Sequence, residues 1–369
     1  MTPLRIGVDA RELLGAATGV GRYLGELLRR WTANQAAARR FLLYSPEPLA
    51  IQLPGDAVER RVVAAGARPG RGTWWEQMHL RRAVAADRPD VFFAPAYTAP
   101  RLGGIPLALT IHDISFVAHP EWFRVREGMR RRWLTRRSAE TAAVIFTDSE
   151  FSRSEIERHF HIERSRVHVI PPGLAPRHDR LGAERPRTGR PIVLYVGSIF
   201  NRRRVPDLIA AFAHVAREIP EARLVIVGED RSWPAQSLPD VALAHGVEAR
   251  VDLRSYVSDD ELGAVYRSAS VFAFLSEYEG FGLTPLEALA AGLPIVVLDT
   301  PVAREVYGDA AFYVPPGDIR TTGEVLTRVL RNPAEGSAAL AHAPAVLARY
   351  SWDRCAAQTL AHIERIARR

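Results

Sequence analysis

Residues 276–294 have the sequence Ser-Glu-Tyr-Glu-Gly-Phe-Gly-Leu-Thr-Pro-Leu-Glu-Ala-Leu-Ala-Ala-Gly-Leu-Pro, directly after the apolar run Val271-Phe-Ala-Phe-Leu275. The run predicts a buried strand, and the glycines after it allow a tight turn. Thr284 and Pro285 predict the N-cap and first position of a helix that ends near Gly292. The free N–H groups and positive dipole of this helix N-terminus favour an anionic ligand beyond the strand.

Two carboxylates, Glu279 and Glu287, bracket the turn with seven residues between them. The pattern Glu-Gly-Phe-Gly-Leu-x-Pro-x-Glu-Ala resembles the signature of glycosyltransferase family 4, whose members are retaining sugar-nucleotide transferases. The resemblance implies that Glu279 lies beside the donor sugar and that Glu287 binds the nucleotide ribose. It also assigns four residues of the turn to donor binding: Gly280, Phe281, Gly282 and Leu283. Since Thr284-x-x-Glu287 also fits a helix capping box, a structural role for Glu287 stays open.

The length and composition indicate two globular domains. At 369 residues, with 47% hydrophobic and 25% charged residues, the chain is long for a single core. The resemblance implies an α/β fold of two Rossmann-like domains that face each other across a cleft, the arrangement called GT-B. We predict an N-terminal acceptor domain at 1–172, a linker rich in Pro, Gly and Arg at 173–190, and a nucleotide-sugar domain at 191–350. A capped helix at 351–369 is expected to cross back to the first domain.

The compartment is predicted from the termini, the cysteine content and the charge. The chain opens directly into an expected strand at residues 4–9, with no secretory signal pattern, and no apolar run approaches the ~18 residues that span a bilayer. Cys355 is the single cysteine, which excludes an intrachain disulfide and fits a cytoplasmic protein. The net charge of +7 favours anionic partners: nucleotide diphosphates, phospholipid surfaces or nucleic acid.

The N-terminal half contains two candidate site features. His112 follows the apolar segment 105–111, which places it at the carboxyl end of a predicted strand, where open α/β sheets bind ligands. It matches the family's active-site histidine, which bonds the donor sugar or the acceptor. Gly19 and Gly21 match a glycine-rich loop that contacts donor phosphate or acceptor in the family. The alternative is an ordinary loop before the predicted helix at 23–31.

In the second domain, the predicted strand at 192–197 is followed by Ser198 and by three consecutive arginines that begin at Arg202. Guanidinium groups suit a diphosphate because their donors match its oxygens in pairs. Arg202 matches the family's arginine here, Arg203 replaces its lysine, and Ser198 stands where many members have arginine. We predict that Ser198, Arg202 and Arg203 bind the donor, with a solvated charge run as the alternative. Val257 lies in a segment that resembles the family's base-binding turn.

The resemblance implies transfer of a hexose, with a mannose-type sugar favoured, from a nucleoside diphosphate to a hydroxyl with retention of configuration. The predicted catalytic residues are His112, Glu279, Arg202 and Arg203. The arginines and the amides of the glycine turn would neutralise the departing diphosphate. Because the sequence has no Asp-x-Asp and no cluster with metal-ligand spacing, we expect no metal and no other cofactor. We favour a GDP-sugar over a UDP-sugar, and a saccharide or polyprenyl-linked acceptor in surface polysaccharide synthesis.

Residues 120–139 are predicted to form an amphipathic helix, with Trp122, Val125, Met129 and Trp133 at helical spacing among many arginines. Such a helix can lie on the anionic inner face of the plasma membrane. The alternative is that the apolar residues pack inward and the arginines face water. The same helix is the one candidate surface for nucleic acid, which we do not expect as a partner.

Two other functions compete with sugar transfer: a nucleotide-sugar-binding protein without activity, and a sugar-nucleotide epimerase.

Capping residues predict three other helix starts. Thr73-Trp-Trp-Glu76 fits a capping box that opens a helix to about Ala86. Ser149 follows an apolar strand pattern and precedes a helical one. Ser351 precedes the C-terminal helix in the same way. The first of these patterns assigns Glu76 a local structural role, in which its carboxylate accepts a backbone N–H group.

Overall fold

The computed structural model describes residues 3–15, 19–33, 38–64, 72–174 and 189–368. Its internal contacts divide the chain into two units. Unit 1 comprises Met1–Ala118, Val125–Gly173 and Ser351–Arg369, and unit 2 comprises His119–Arg124 and Leu174–Tyr350. Most of the predicted linker at 173–190, namely residues 175–188, lies outside the described residues.

The described part of unit 1 contains a seven-stranded sheet. Its strands are β1 Leu4–Asp9, β2 Arg39–Ser45, β3 Val58–Val62, β4 Val91–Ala94, β5 Leu107–Thr110, β6 Val144–Thr147 and β7 Val167–Val169. They are parallel and lie in the order β3-β2-β1-β4-β5-β6-β7. The central strands β4, β5 and β6 are entirely buried and, apart from Thr110 and Thr147, apolar, as expected for a parallel sheet with both faces covered. The carboxyl ends of neighbouring strands therefore share one edge.

Helices separate these strands along the chain. They are α1 Gly19–Ala33, α2 Arg81–Asp87, α3 Ser115–Ala118, α4 Val125–Thr141 and α5 Glu150–Phe160; a π-helical turn, Trp75–Leu80, precedes α2, and Arg11–Leu13 and Arg164–Arg166 form short 3-10 helices. As predicted, the Ser149 side chain caps α5 by accepting the N–H of Ser152. The continuous helix predicted at 120–139 is wrong, because Pro120–Trp122 forms a separate 3-10 turn in unit 2 and α4 begins at Val125.

Unit 2 contains a second parallel sheet. Within the described residues its strands are β8 Ile192–Val196, β9 Arg223–Val227, β10 Val251–Arg254, β11 Val271–Phe274, β12 Ile295–Leu298 and β13 Ala311–Val314, in the order β10-β9-β8-β11-β12-β13. Its helices are α6 Val205–Glu218, α7 Leu238–Ala244, α8 Asp259–Ser268, α9 Leu283–Ala290, α10 Pro301–Tyr307, α11 Ile319–Arg331, α12 Pro333–Leu340 and α13 Ala343–Leu347. Three 3-10 helices, Asn201–Arg203, Glu248–Arg250 and Gly308–Ala310, complete the list. The chain therefore repeats the strand-helix alternation of a Rossmann-like sheet, as predicted.

The last helix, α14 Trp352–Ala367, belongs to unit 1. Trp352 and Ile363 are buried in one cluster with Trp31 of α1 and Phe93 of β4. Trp31 Nε1 donates a hydrogen bond to the carbonyl of Ala356 at 2.8 Å. The core of the N-terminal sheet is thus completed by the C-terminal end of the described chain.

Candidate functional site

The candidate donor site lies where the neighbouring strands β8 and β11 of unit 2 end. Gly197 follows β8 with a φ of 142°, and a Cβ atom there would lie 2.7 Å from Nη1 of Arg203. Only glycine leaves room for this guanidinium against the backbone. The short 3-10 helix Asn201–Arg203 then positions the two predicted arginines beside the carboxyl ends of the strands.

A buried ion pair connects the loop after β8 to the turn after β11. Arg203 Nε donates to Glu279 Oε1 at 2.8 Å, and Arg203 Nη1 donates to the carbonyl of Ser198 at 2.9 Å. Ser276 Oγ donates to the same carboxylate oxygen at 2.9 Å. The side chains of Arg203 and Glu279 are only 14% and 13% exposed. The structure therefore brings together three residues predicted from the sequence and adds Ser276 as their support.

Arg202 lies next to this ion pair, but its Nε atom forms no hydrogen bond to Glu279. Its Nε atom is 3.9 Å from Glu279 Oε1 and is buried without a hydrogen-bond partner among the described residues. Its guanidinium carbon lies 4.5 Å from the ring centroid of Phe200. A buried donor without an acceptor costs ~1–3 kcal/mol. An anionic ligand that supplied the missing acceptor would recover this cost.

The electrostatics of the cluster keep its ionisable groups charged. Burial raises the pKa of Glu279, but the charges of Arg203 and Arg202 outweigh burial and hold this pKa below its ordinary value. Burial lowers the pKa of Arg203, but Glu279 more than compensates, so this pKa is raised. Two guanidinium cations thus face one carboxylate, and the excess positive charge suits a phosphate group.

The helix α9 begins at the glycine turn and not at Thr284. Gly282 is its N-cap, with a φ of 90°, and no side chain caps the helix. The predicted Thr284 N-cap and the capping box with Glu287 are therefore wrong, because the glycine enters the helix earlier than the Thr-Pro pair suggests. Glu287 lies on α9 and is partly buried. The structural alternative for this carboxylate, a helix cap, is thereby removed.

Tyr307 fixes the conformation of the turn and was missed by the sequence analysis. Its hydroxyl donates to the carbonyl of Gly282 at 2.9 Å. A Cβ atom at Gly282 would lie 2.1 Å from that hydroxyl, so the position accepts only glycine. Burial raises the pKa of Tyr307 well above its ordinary value, so the hydroxyl remains a donor. No local sequence pattern could show this contact, since it joins the start of α9 to the end of α10.

The remaining residues of the turn contribute mainly backbone. Phe281 is buried, and its ring makes an edge-on contact with Tyr350 at a centroid distance of 4.9 Å. Gly280 is buried, and Leu283 is the first residue of α9. The predicted donor-binding role of Phe281 therefore has to come from its backbone, because its side chain packs inside unit 2.

The predicted base-binding turn has the expected strand-turn-helix form. Val257 lies between β10 and Ser258, which forms a capping box with Glu261 at the start of α8. The neighbouring Tyr256 is 82% exposed, the highest value among the large hydrophobic residues left at the surface. An exposed aromatic ring beside Val257 offers a flat apolar surface near the expected nucleobase.

In unit 1, His112 lies just beyond β5 and is held from two sides. Its Nδ1 atom is 2.8 Å from Asp148 Oδ2, and its Nε2 atom is 3.1 Å from the carbonyl of Pro95. Both partners are acceptors, so the doubly protonated imidazolium satisfies both contacts. Burial lowers the pKa of His112, but the charge of Asp148 outweighs burial and the pKa is raised. These contacts favour the protonated imidazole, so His112 holds its proton to a higher pH than an ordinary histidine.

Asp148 was not predicted, although a signal in the sequence existed. It follows β6 as His112 follows β5, and these strands are neighbours.

Gly19 and Gly21 were predicted to lie in a loop, but they form the first turn of α1, so this prediction is wrong. A Cβ atom at Gly19 would meet no other atom within 4 Å, so packing does not require glycine there. Residues 16–18, before this turn, lie outside the described residues.

A second charged cluster in unit 1 was also missed. Arg11 pairs with Asp9 at 2.9 Å and with Glu76, and Thr98 Oγ1 donates to Glu76 at 2.6 Å. Burial raises the pKa of Asp9 to about 6 against the opposing charge of Arg11. The predicted capping box of Thr73 and Glu76 is wrong, because the Glu76 carboxylate is taken up by this buried network. The cluster ties the loop after β1 to the π-helical turn before α2.

Comparisons with known proteins agree with this geometry. The family described as "Glycosyl transferases group 1" matches residues 179–343, and "Glycosyltransferase Family 4" matches residues 17–178. O-antigen chain mannosyltransferase B of Escherichia coli is 27% identical over 93% of this chain and 95% of its own length. The chain is a glycosyltransferase of family 4.

Two solved structures have the same class of fold. WaaG, a glycosyltransferase involved in lipopolysaccharide biosynthesis, has a TM-score of 0.75 at 18% identity, over 98% of this chain and 99% of that one. Anabaena HepE in complex with UDP-glucose has a TM-score of 0.73 at 16% identity, over the same shares of both chains. The GT-B fold predicted from the sequence is confirmed.

Proposed function

We propose that the protein transfers a hexose from a nucleoside diphosphate to the hydroxyl group of a saccharide or lipid-linked acceptor, with retention of configuration. The observation that carries the proposal is the cluster of Arg202, Arg203 and Glu279 at the start of α9. Two guanidinium groups, one with a buried unpaired N–H, lie beside a helix N-terminus without a side-chain cap. This arrangement supports a diphosphate as the ligand.

In the proposed step, the bond between the anomeric carbon and the diphosphate oxygen breaks, and its electron pair goes to the leaving phosphate. The acceptor oxygen bonds to the anomeric carbon on the same face, and its proton passes to the leaving phosphate oxygen. Arg202 and Arg203 stabilise the charge that develops there. No group of three or more His, Cys, Asp or Glu side chains in the described residues is arranged to hold a metal ion. We therefore assign charge neutralisation to the arginines.

Glu279 and His112 are assigned to the sugar and acceptor chemistry. The carboxylate of Glu279 is ionised and fixed by Ser276, so it can orient a sugar hydroxyl or balance positive charge at the anomeric carbon. His112 carries a proton to higher pH than an ordinary histidine, and its Nε2–H can donate to a sugar oxygen that displaces the Pro95 carbonyl. Glu287 is assigned to the ribose, since the helix cap that competed for it is not formed.

The comparisons also support a proposal for the donor sugar and for the nucleobase of the donor. The E. coli relative is a mannosyltransferase of O-antigen synthesis, which favours a mannose-type sugar and a surface polysaccharide product. We favour GDP as the nucleotide, with UDP as the alternative because HepE was solved with UDP-glucose. Tyr256, exposed beside Val257, is the side chain that we propose to meet the base.

Thermal-shift titrations with GDP, UDP, ADP and TDP test donor binding, because a ligand of the native state raises stability by mass action. We expect the largest rise with GDP, and none in a variant with Arg202→Gln and Arg203→Gln. Incubation with GDP-mannose and a lipid-linked saccharide acceptor should then give an α-linked product by NMR. Binding without transfer would favour a non-catalytic binding protein, and a changed donor sugar would favour an epimerase. No response to any nucleotide would contradict the proposal.

We also propose that α4 rests on an anionic membrane. Val125, Met129 and Trp133, spaced by four residues, are 74%, 67% and 60% exposed and define an apolar ridge on α4. The same helix carries exposed arginines, of which Arg131 pairs with Glu127 and Arg136 with Glu140: Arg126, Arg130, Arg131, Arg132 and Arg136. An apolar ridge within a basic helix fits the interface of an anionic leaflet. None of the described helices is long and apolar enough to cross a bilayer, so the proposed contact is peripheral.

A further inference from the structure

Unit 1 contains a cavity of about 390 Å³ that the proposed transfer reaction does not use. Helix α5, the edge strand β7 and helix α14 line it together. We call it the basic cavity. Its polar lining consists of Glu150, Arg153, His168, Gln358, His362 and Arg365. Its volume lies in the range of ~300–1,000 Å³ that is typical of small-molecule sites.

The two histidines face each other without hydrogen bonds. The rings of His168 on β7 and His362 on α14 have a centroid distance of 4.0 Å and an interplanar angle of 40°. No hydrogen bond from either imidazole to another described residue is present, although both rings are partly buried. Their N–H groups therefore remain available to a ligand in the cavity.

The charge of the basic cavity is positive and incompletely balanced. Arg365 is exposed and has no acidic partner among the described residues. Arg153 pairs with Glu150, and its buried Nε atom lies 3.7 Å from Glu157 without a hydrogen bond. The carboxylate of Glu150 already pairs with Arg153 and, at 3.3 Å, with Arg164. An anion is the ligand that would complete these contacts.

The titration behaviour of the rings agrees with this deficit of negative charge. Burial, His168 and Arg365 lower the pKa of His362 to about 4. Burial, Arg365 and Arg153 also lower the pKa of His168. Apart from these groups, Glu150 is the ionisable side chain that lines the cavity, and it is engaged by arginines. A bound anion would raise both histidine pKa values by offsetting the two arginines.

We propose that the basic cavity binds a phosphate-bearing anion. The forked donors of Arg153 and Arg365 and the N–H groups of His168 and His362 match the oxygens of a tetrahedral phosphate. A cation is disfavoured by the arginines. Because a bound anion raises the histidine pKa values, the rings take up protons on binding, and this uptake favours binding as the pH falls through the pKa values of the complex. An occupant would also tie α14 to the edge of the sheet.

Titration of the whole protein with inorganic phosphate at constant ionic strength, followed by NMR of the imidazole protons, tests the proposal. The background should carry Arg203→Gln, so that the candidate donor site does not contribute. We expect phosphate to shift the His168 and His362 signals and to raise both pKa values. Arg365→Gln should weaken binding about tenfold, as for loss of one charge-assisted hydrogen bond. Arg368→Gln, at an exposed position on the same helix end, should leave it unchanged.

His362→Gln is the second variant and should reduce the proton uptake on binding without abolishing it, since His168 and phosphate also titrate. Vesicles with phosphatidic acid, added to a variant that also carries Met129→Ser and Trp133→Ser so that α4 does not contribute, distinguish a lipid headgroup from a soluble phosphate. Histidine signals that shift with these vesicles alone would identify the headgroup as the source. Unshifted histidine signals with both probes, or equal losses in Arg365→Gln and Arg368→Gln, would overturn the proposal. These outcomes leave the transferase proposal untouched, since none of the cavity residues belongs to the candidate donor site.

Discussion

Among single residues, Glu279 has the most constrained environment in the candidate donor site. Its carboxylate accepts from Arg203 and Ser276 and lies 3.9 Å from Arg202 Nε. A diphosphate would compete with Glu279 for the same guanidinium groups. Donor binding therefore has to weaken or reshape the ion pair, and the unpaired Nε of Arg202 is the donor that a phosphate can engage without breaking a contact.

The first prediction concerns this ion pair. Glu279→Ala should lower the free energy of unfolding of unit 2 by ~3–5 kcal/mol, because it leaves Arg203 buried without its partner. Transfer should be abolished, whereas affinity for the nucleoside diphosphate should persist. Glu277→Ala is the matched control, since its carboxylate is more exposed, lies 3.5 Å from Arg204, and should contribute below ~1 kcal/mol. Chemical denaturation and nucleotide titration of both variants provide the measurement.

A double variant separates stability from function at the same pair. Arg203→Met with Glu279→Leu replaces both buried charges by apolar groups of similar size, and should recover much of the lost stability. It should not recover transfer or diphosphate binding. If Glu279→Ala and Glu277→Ala unfold at the same denaturant concentration, the pair does not stabilise the site.

At the level of elements, α4 shows how a helix can match its predicted pattern and still differ in its packing. The apolar residues were expected either to enter a membrane or to pack inward. Val125, Met129 and Trp133 remain exposed, so inward packing is wrong for these three. Trp122 is not part of α4 and instead stacks on His119 at a centroid distance of 4.0 Å. The apolar ridge is therefore shorter than predicted, but it is open.

Flotation with vesicles tests the role of α4. Wild-type protein should bind anionic vesicles at low salt and dissociate at high salt, since each arginine near the surface contributes ~1 kcal/mol. Arg130, Arg131 and Arg132 changed together to Gln should weaken binding, and Met129→Ser with Trp133→Ser should do so even at low salt. The control Leu243→Ser alters another exposed apolar residue and should bind normally. Wild-type protein that ignores anionic vesicles would exclude the membrane contact.

At the scale of the whole molecule, the core of unit 1 depends on residues from both ends of the chain. Trp352, Cys355, Ile363 and Ile366 of α14 are each less than 10% exposed and share one cluster with α1 and β1. A Cβ atom at Gly173 would lie 2.1 Å from the Trp352 backbone N, so the start of α14 also needs this glycine. Unit 1 is therefore continuous in space but discontinuous in sequence.

This organisation predicts that residues 1–173 do not form a stable unit alone. Removal of α14 exposes large apolar side chains worth ~1.5–3 kcal/mol each, and several together match the ~5–15 kcal/mol stability of a whole domain. A fragment that joins 1–173 to 351–369 by a flexible linker should unfold cooperatively, as followed by circular dichroism. Equal melting temperatures for the two fragments would show that α14 is dispensable.

The sequence by itself determined the strand-turn-helix segments and the caps at Ser149 and Ser351, because these depend on residues within a few positions of one another. The family resemblance supplied the two Rossmann-like sheets. The sequence also identified Arg203, Glu279 and His112 by their places after apolar strands. Only the tertiary structure paired Arg203 with Glu279, 76 residues away, and His112 with Asp148, 36 residues away. Local patterns could not decide which charged groups meet, because burial and the order of strands bring distant residues together.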